Sequence, residues 1–276
     1  MSVKISNIIF LSDMDGTLLT HDKRLSEEDA EAIVRFREAG GTFAVATGRV
    51  IQATRHYFDT IGLNSPVILC NGGMIYDCAK NKVAWSEYLP CREAKSMVRE
   101  LIKNFPQACA EICTPEVIYD YNINDFERHH WKIGGFTATP VNVLDDIPMM
   151  NWCKILFAMP EDTVADFAEY CNKLPEAKSV EFITSSKNYH EMLPKGCTKG
   201  DALLRLKKMY GGKNTVVVAM GDYNNDITML KNADFSACPA NALETVKDIC
   251  DMICLYDCDH GAVAEVLDYI MDGGIR

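Results

Sequence analysis

Apolar and polar positions along the chain alternate between short unbroken runs and helical stripes. Ile8-Ile9-Phe10-Leu11 is continuously apolar and ends in acidic and glycine residues, the pattern of a parallel strand covered on both faces. Ser26 follows as a helix N-cap with Asp29 as its capping-box partner. Ala30, Ile33 and Val34 line one face of that helix, and Gly40-Gly41 stops it. Phe43 to Ala46 and Val67 to Cys70 repeat the strand pattern. Toward the other end, Thr198 and Asp201 cap a helix carrying Leu203, Leu206 and Met209. Val216 to Met220 is then the clearest buried strand in the chain. Strand and helix alternating at both ends predict an α/β fold built on a doubly wound parallel sheet.

The middle has a different texture. From about Val83 to His190, prolines stand at 90, 106, 115, 140, 148, 160 and 175, with aromatics and short mixed segments between them. This predicts an inserted α+β domain of about 100 residues, an ordinary size for a small domain. The sheet domain is then discontinuous, with residues 1–82 plus 190–276 forming the core and 83–189 the insertion.

Composition narrows the chemistry. The 276 residues are 48% apolar, enough for a substantial core. A net charge of −11 excludes the basic footprint that a nucleic-acid partner requires. An acidic protein that handles a phosphorylated ligand must cancel charge locally, so a metal ion or buried cations are expected. The 12 cysteines do not read as a disulfide framework, because such frameworks belong to short chains that lack a core. They are expected as reduced thiols packed like small apolar groups. Cys250, Cys254 and Cys258 recur at every fourth residue, but no second cluster of Cys or His completes a ligand set. No basic leader and no run of about 18 apolar residues is present, so a cytoplasmic protein without a membrane partner is expected.

The candidate chemistry lies where strands end, which is where open α/β sheets bind ligands. Asp13-Met14-Asp15-Gly16-Thr17 follows the first strand and Thr47-Gly48-Arg49 the second. Asn71-Gly72-Gly73 follows the third, and Gly221-Asp222-Tyr223-Asn224-Asn225-Asp226 the strong late strand. Lys199 lies in the first turn of the helix that Thr198 caps. Taken singly, aspartate and glycine after a strand mark a tight turn, Thr47 a helix cap, and Lys199 a solvated surface residue. Four strand-end motifs that together hold acidic, hydroxyl and cationic groups are what phosphoryl transfer needs.

These motifs resemble the haloacid dehalogenase superfamily: Asp-x-Asp-Gly-Thr, then Thr-Gly-Arg, a Lys-Gly helix, and Gly-Asp-x-x-Asn-Asp. The position of the insertion resembles subclass IIB, the Cof-type sugar-phosphatase group. Asn71-Gly72, Glu191-Met192-Leu193-Pro194, Asn241-Ala242 and Gly261-Ala262-Val263-Ala264 are also similar to that group's core pattern. Tyr223 is bulkier than the small residue usual there, and Ala262 stands where valine is usual. The resemblance implies a Rossmann-like core with an inserted cap of type C2B, and a Mg²⁺-dependent phosphatase of small phosphate monoesters.

The resemblance also implies roles that the side chains can perform. Asp13 is the nucleophile that forms a phospho-aspartyl intermediate, and Asp15 the general acid and base. Asp13, Asp222 and the backbone carbonyl of Asp15 hold Mg²⁺. Thr47, Gly48, Lys199 and Asn225 bind the phosphoryl group, and Asp226 orients Lys199 or a metal-bound water. The cap closes over the site and excludes water. Arg128-His129-His130-Trp131-Lys132 is its most polar and aromatic stretch; it could touch a sugar, but a solvated helix face or loop is the expected reading. A small phosphorylated metabolite is the expected partner. A phosphomutase would use the same groups and return phosphate to the substrate. A receiver-like signalling module also clusters aspartates, a hydroxyl and a lysine, but has no task for Asp15 and no large insertion.

Overall fold

The computed structural model describes residues 3–63 and 65–275. The chain folds into two compact units. One comprises Met1–Gly48, Arg55–Trp85 and Thr198–Arg276, the other Arg49–Thr54 and Ser86–Cys197.

The first unit opens with strand β1 (Ile8–Ser12), buried at all five positions. Helix α1 (Glu27–Glu38) starts where the Ser26 hydroxyl accepts the Asp29 N–H at 3.1 Å. Acidic residues fill its first turn and Arg35 and Arg37 its last, matching the helix dipole at both ends. The expected capping box is only half made. The Asp29 carboxylate accepts the N–H of Ala264 at 2.7 Å, tying two helix starts together. Strand β2 (Thr42–Val45) lies parallel to β1, and helix α2 (Arg55–Ile61) follows. Strand β3 (Pro66–Leu69) departs from the expected topology. It meets the end of β2 through a parallel bridge between Ala46 and Ile68, and pairs antiparallel with β4 (Met74–Asp77). With β5 (Lys82–Ser86) these make a separate three-stranded sheet. Asn71 and Gly72, both at positive φ, reverse the chain so tightly that the next segment folds back on β3.

The second unit interrupts this fold. Its elements are α3 (Cys91–Asn104), β6 (Cys109–Cys113), β7 (Ile118–Tyr121), α4 (Asp125–Gly134), β8 (Thr139–Val141), β9 (Lys154–Ala158), α5 (Glu161–Lys173), β10 (Val180–Ser186) and β11 (Tyr189–Pro194). The six strands order as β10-β11-β9-β6-β7-β8, antiparallel except for the β7–β8 edge. One core of Leu101, Ile112, Trp152, Phe157 and Phe167 joins the sheet to α3 and α5. Trp152 is fully buried because its indole N–H donates to the Pro148 carbonyl at 2.7 Å.

The first unit then resumes with α6 (Lys199–Tyr210), β12 (Val216–Met220), α7 (Ile227–Asn232), β13 (Phe235–Cys238), α8 (Glu244–Lys247), β14 (Met252–Ile253) and α9 (Ala262–Met271). Thr198 and Asp201 form a complete capping box at the start of α6. The parallel sheet orders as β14-β13-β12-β1-β2, so the chain steps to opposite sides of β1 and creates a switch point between β1 and β12. Leu203, Leu206, Met229 and Leu230 of α6 and α7 cover one face. Phe36 of α1 meets Phe10, which stacks on Phe43 at 5.4 Å, on the other. All 12 thiols are free and nine are buried, so they pack as small apolar groups. Among the described residues no helix is long and apolar enough to cross a membrane.

Candidate active site

The switch point places acidic residues at adjacent strand ends. Asp13 directly follows β1, and its N–H donates to the Met220 carbonyl at 2.8 Å, locking the end of β1 to that of β12. Asp222 lies two residues beyond β12. The capping box orients the first turn of α6, where Lys199 is 1% exposed. Its Nζ donates to Asp13 Oδ1 and to Asp226 Oδ1, both at 2.6 Å. The other oxygen of Asp226 accepts the N–H groups of Asp222 and Tyr223, each at 3.0 Å. Residues from three distant segments are thereby joined into one buried network.

Each neighbour of this network has a definite contact. Asp222 Oδ1 accepts the Thr17 hydroxyl at 2.9 Å. Gly16 has φ +86°, and a Cβ there would lie 2.6 Å from Asp222 Oδ2, so only glycine leaves that carboxylate in place. Asp15 pairs with Lys23 at 2.8 Å and is partly exposed. Thr47 is buried past β2, with its N–H on the Ile68 carbonyl and its carbonyl accepting the Asn71 N–H. Gly48 packs against the Asn71 side chain, which a Cβ would meet at 2.8 Å. Asn225 donates its amide to that same Asn71, at 3.0 Å. Asp13, Lys199, Asp226 and Asp222 are thus linked around the β1 and β12 ends, with Asp15 paired to Lys23 beside them, while Gly48 and Asn225 meet at Asn71.

Electrostatics define what this arrangement lacks. Burial holds the Asp13 carboxyl well above the usual carboxylate range. The Lys199 charge opposes this, and Asp226, Asp222 and Asp15 reinforce it. Burial pushes Asp222 up to about 7, with the Asp226 charge adding to it and the Thr17 hydroxyl working against it. Burial disfavours the Lys199 ammonium, but the Asp13 and Asp226 charges outweigh it and hold the lysine charged. Four carboxylates therefore gather around one buried ammonium. Oxygens of Asp13, Asp222 and Asp226 lie within 4.8 Å of one another. An all-oxygen donor set with excess negative charge fits a hard divalent cation. Asp226 is already bonded through both oxygens, which leaves Asp13 and Asp222 as the carboxylates able to face an ion.

Four contributors carry no assigned role in the sequence reading. Thr17 and Asn71 stand inside strand-end motifs, so their hydroxyl and amide were available to notice. Asn241, which donates to the Gly16 carbonyl at 2.8 Å, stands in the Asn-Ala pair. Lys23 had no signal: it is one charge in a polar loop, brought to Asp15 by a backbone at φ +60°.

Residues 10–267 match the sequence profile of the haloacid dehalogenase-like hydrolases. The chain belongs to this family. A 5-amino-6-(5-phospho-D-ribitylamino)uracil phosphatase of Bacillus subtilis, YcsE, is 26% identical over 265 residues, covering 94% of each chain. The pyridoxal phosphate phosphatase YbhA of Escherichia coli is 27% identical over 241 residues, covering 85% of this chain and 88% of its own. In fold, the chain is similar to the subclass IIB sugar phosphatase BT4131. The TM-score is 0.81 at 18% identity, over 95% of this chain and 98% of that one. With phosphatases matching along most of its length, this enzyme is a phosphoric monoester hydrolase.

Proposed function

We propose that the enzyme hydrolyses small phosphate monoesters, such as sugar phosphates or pyridoxal phosphate, with Mg²⁺ and through a phospho-aspartyl intermediate on Asp13. The observation that carries this reading is the position of Lys199, buried and bonded to Asp13 and Asp226 beside the Asp222 carboxylate. Relatives named for small phosphorylated metabolites and a net charge of −11, which repels long polyanions, support the substrate class.

Asp13 carries an oxygen nucleophile that attacks phosphorus as the bond to the ester oxygen breaks. Asp15, in its acid form, gives its proton to the departing oxygen and then takes one from the water that cleaves the phosphorus–Asp13 bond. Inorganic phosphate leaves and Asp13 is restored. Lys199 and the Thr47 hydroxyl hold the phosphoryl oxygens, and Asp226 keeps Lys199 in place. Asp13, Asp222 and the Asp15 carbonyl would hold Mg²⁺. Once bound, the ion offsets the charge that otherwise sets a carboxylate against a phosphate. In this reading the second unit acts as a cap that selects among leaving groups, and the free thiols suit the reducing cytoplasm.

The test is a screen of hexose phosphates, sugar-alcohol phosphates, pyridoxal phosphate and a phosphopeptide for phosphate release, with and without Mg²⁺. Mg²⁺-dependent release from small esters is expected, together with loss of turnover in Asp13→Asn. An Asp13→Asn variant within about tenfold of wild type, only ~1.4 kcal/mol of barrier, would overturn the assignment of the nucleophile. Preference for the phosphopeptide would overturn the substrate class.

A further inference from the structure

The second unit buries a second set of carboxylates, far from β1 and β12 in sequence. In β6, Ala110 and Ile112 enter the apolar core beneath α3 and α5, so Cys109, Glu111 and Cys113 take the opposite face. The β6–β7 register sets Glu111 directly across from Asp120, a like-charged pair that weakens a sheet. Helix α4 adds Glu127 and His130, three residues apart on one helical face. The start of α4 is fixed to the sheet. Asn124 accepts the Glu127 N–H at 2.8 Å and donates to the Ala158 carbonyl at 2.7 Å. Within Arg128–Lys132, His130 and Trp131 are half-buried while the other three are exposed.

The resulting group is poor in partners. Asp120 and Glu127 are 0% exposed and Glu111 2%. Among the described residues, both oxygens of Asp120, both of Glu127 and Oε2 of Glu111 have no hydrogen-bond partner. The Trp131 indole N–H favours the charged form of Asp120 without reaching hydrogen-bond geometry. Lys154, the nearby ammonium, is paired with Glu191 at 2.9 Å. Buried carboxylates left like this cost several kcal/mol each unless a proton or a cation neutralises them.

Donor geometry favours a cation. Single donor atoms of Cys109, Asp120 and Glu127 lie within 4.8 Å of one another, and so do those of Glu111, Glu127 and His130. Glu127 belongs to both groups. Glu127 and His130 form a Glu-x-x-His pair on one helix, an arrangement that places two ligands on one side of a metal. We propose that the second unit binds a divalent transition-metal ion of the zinc class, centred on Glu127 and flanked by Cys109, Asp120, Glu111 and His130.

Each triad joins carboxylate oxygens to one softer donor, the Cys109 sulfur in one and the His130 nitrogen in the other, a mix that selects a borderline ion, unlike the all-oxygen set around Asp13. Zinc bonds of about 2.0–2.3 Å require the donors to draw slightly inward.

The test strips the full-length enzyme with chelator, reloads it with Zn²⁺ under excess Mg²⁺, desalts it and measures bound zinc by mass spectrometry. One zinc per chain is expected in wild type and in the Asp13→Asn/Asp222→Asn double variant. Glu127→Gln and Asp120→Asn, on separate elements, should each weaken binding beyond the roughly 100-fold that bounds an outer-shell change. Co²⁺ in place of zinc should show a thiolate charge-transfer band that Cys109→Ser abolishes, a readout that stands even if a carboxylate variant fails to fold. Absence of zinc, zinc that follows the Asp13 and Asp222 substitutions, or folded Glu127→Gln binding as wild type does would each overturn the site. So would Co²⁺ bound without the thiolate band.

Discussion

Lys199 and Asp226 are bonded at 2.6 Å in a region where neither side chain is more than 1% exposed. The second oxygen of Asp226 holds the N–H groups of Asp222 and Tyr223. One carboxylate therefore fixes both the lysine of α6 and the loop after β12. A Cβ at Gly221 would meet the Asp226 side chain at 2.5 Å, so the loop closes tightly around this contact.

Asp226→Asn retains an acceptor for the loop N–H groups but removes the charge facing Lys199. We expect kcat/KM to fall roughly 10- to 100-fold, the range for an outer group that orients a functional one. Stability should drop as well, because one partner of a buried ion pair is lost. Steady-state kinetics with a reactive ester, alongside urea denaturation, checks both effects. Unchanged kinetics with reduced stability would mean that Asp226 is only a structural tie.

Asp15 is predicted to move protons rather than to bind metal through its carboxylate. Asp15→Asn should slow turnover most for esters with poor leaving groups, such as hexose phosphates. It should slow formation of the aspartyl phosphate far less for p-nitrophenyl phosphate, whose leaving group needs little protonation. Breakdown of the intermediate still needs a base, so a phosphorylated chain should accumulate. Intact-protein mass spectrometry after quenching detects it. Equal losses for both esters and no mass shift would count against this role.

Gly16→Ala probes the link between backbone shape and the Asp222 carboxylate. A left-handed conformation costs alanine roughly 1–2 kcal/mol, and the new Cβ would stand 2.6 Å from Asp222 Oδ2. With that oxygen displaced, the Mg²⁺ concentration for half-maximal activity should rise by about tenfold, or ~1.4 kcal/mol. Saturating Mg²⁺ should restore part of the rate. Metal dependence equal to that of wild type would argue that Asp222 does not face the ion.

How much of this was readable beforehand depended on whether a feature was local. Val216–Met220 is unbroken and apolar and opens with three β-branched valines, and the observed strand has those bounds. The Thr198–Asp201 capping box is likewise a contact within four residues. Val67–Cys70 reads just as clearly as a strand, but an apolar run carries no information about its partner. The positive-φ turn at Asn71-Gly72 sent it to another sheet. Asp29 has the right spacing to complete a box at Ser26, and a helix start 235 residues away took it instead. Lys23 beside Asp15 and the Glu111–Asp120 register depend on long-range or cross-strand placement, to which spacing along the chain is blind.

Asp29 provides the last prediction, in which stability should respond to pH. Its carboxyl is fully buried. Burial raises it from the ordinary 3.8 to about 6, against the Ser26 and Ala264 hydrogen bonds that favour the charged form, and Oδ2 has no hydrogen-bond partner among the described residues. A carboxyl whose folded pKa is raised prefers its proton in the native state. Its contribution to stability is therefore full below about pH 4 and is lost as pH rises through about 6. The size of that loss is about 3 kcal/mol, from the difference between the two pKa values. Asp29→Asn is neutral at every pH and can still accept the Ala264 N–H. Its amide NH₂ would meet the place where Oδ2 now lacks a partner, which adds an offset that does not vary with pH. The readout is thus the slope rather than the absolute stability. Urea unfolding of wild type and variant should be compared at pH 4, 5, 6 and 7.5. The variant should gain on wild type by about 2.5 kcal/mol across that range, with most of the change between pH 4 and 6.5. A difference that stays constant with pH would mean that Asp29 is ionised in the folded protein at little cost, with its charge satisfied by the Ser26 and Ala264 contacts alone.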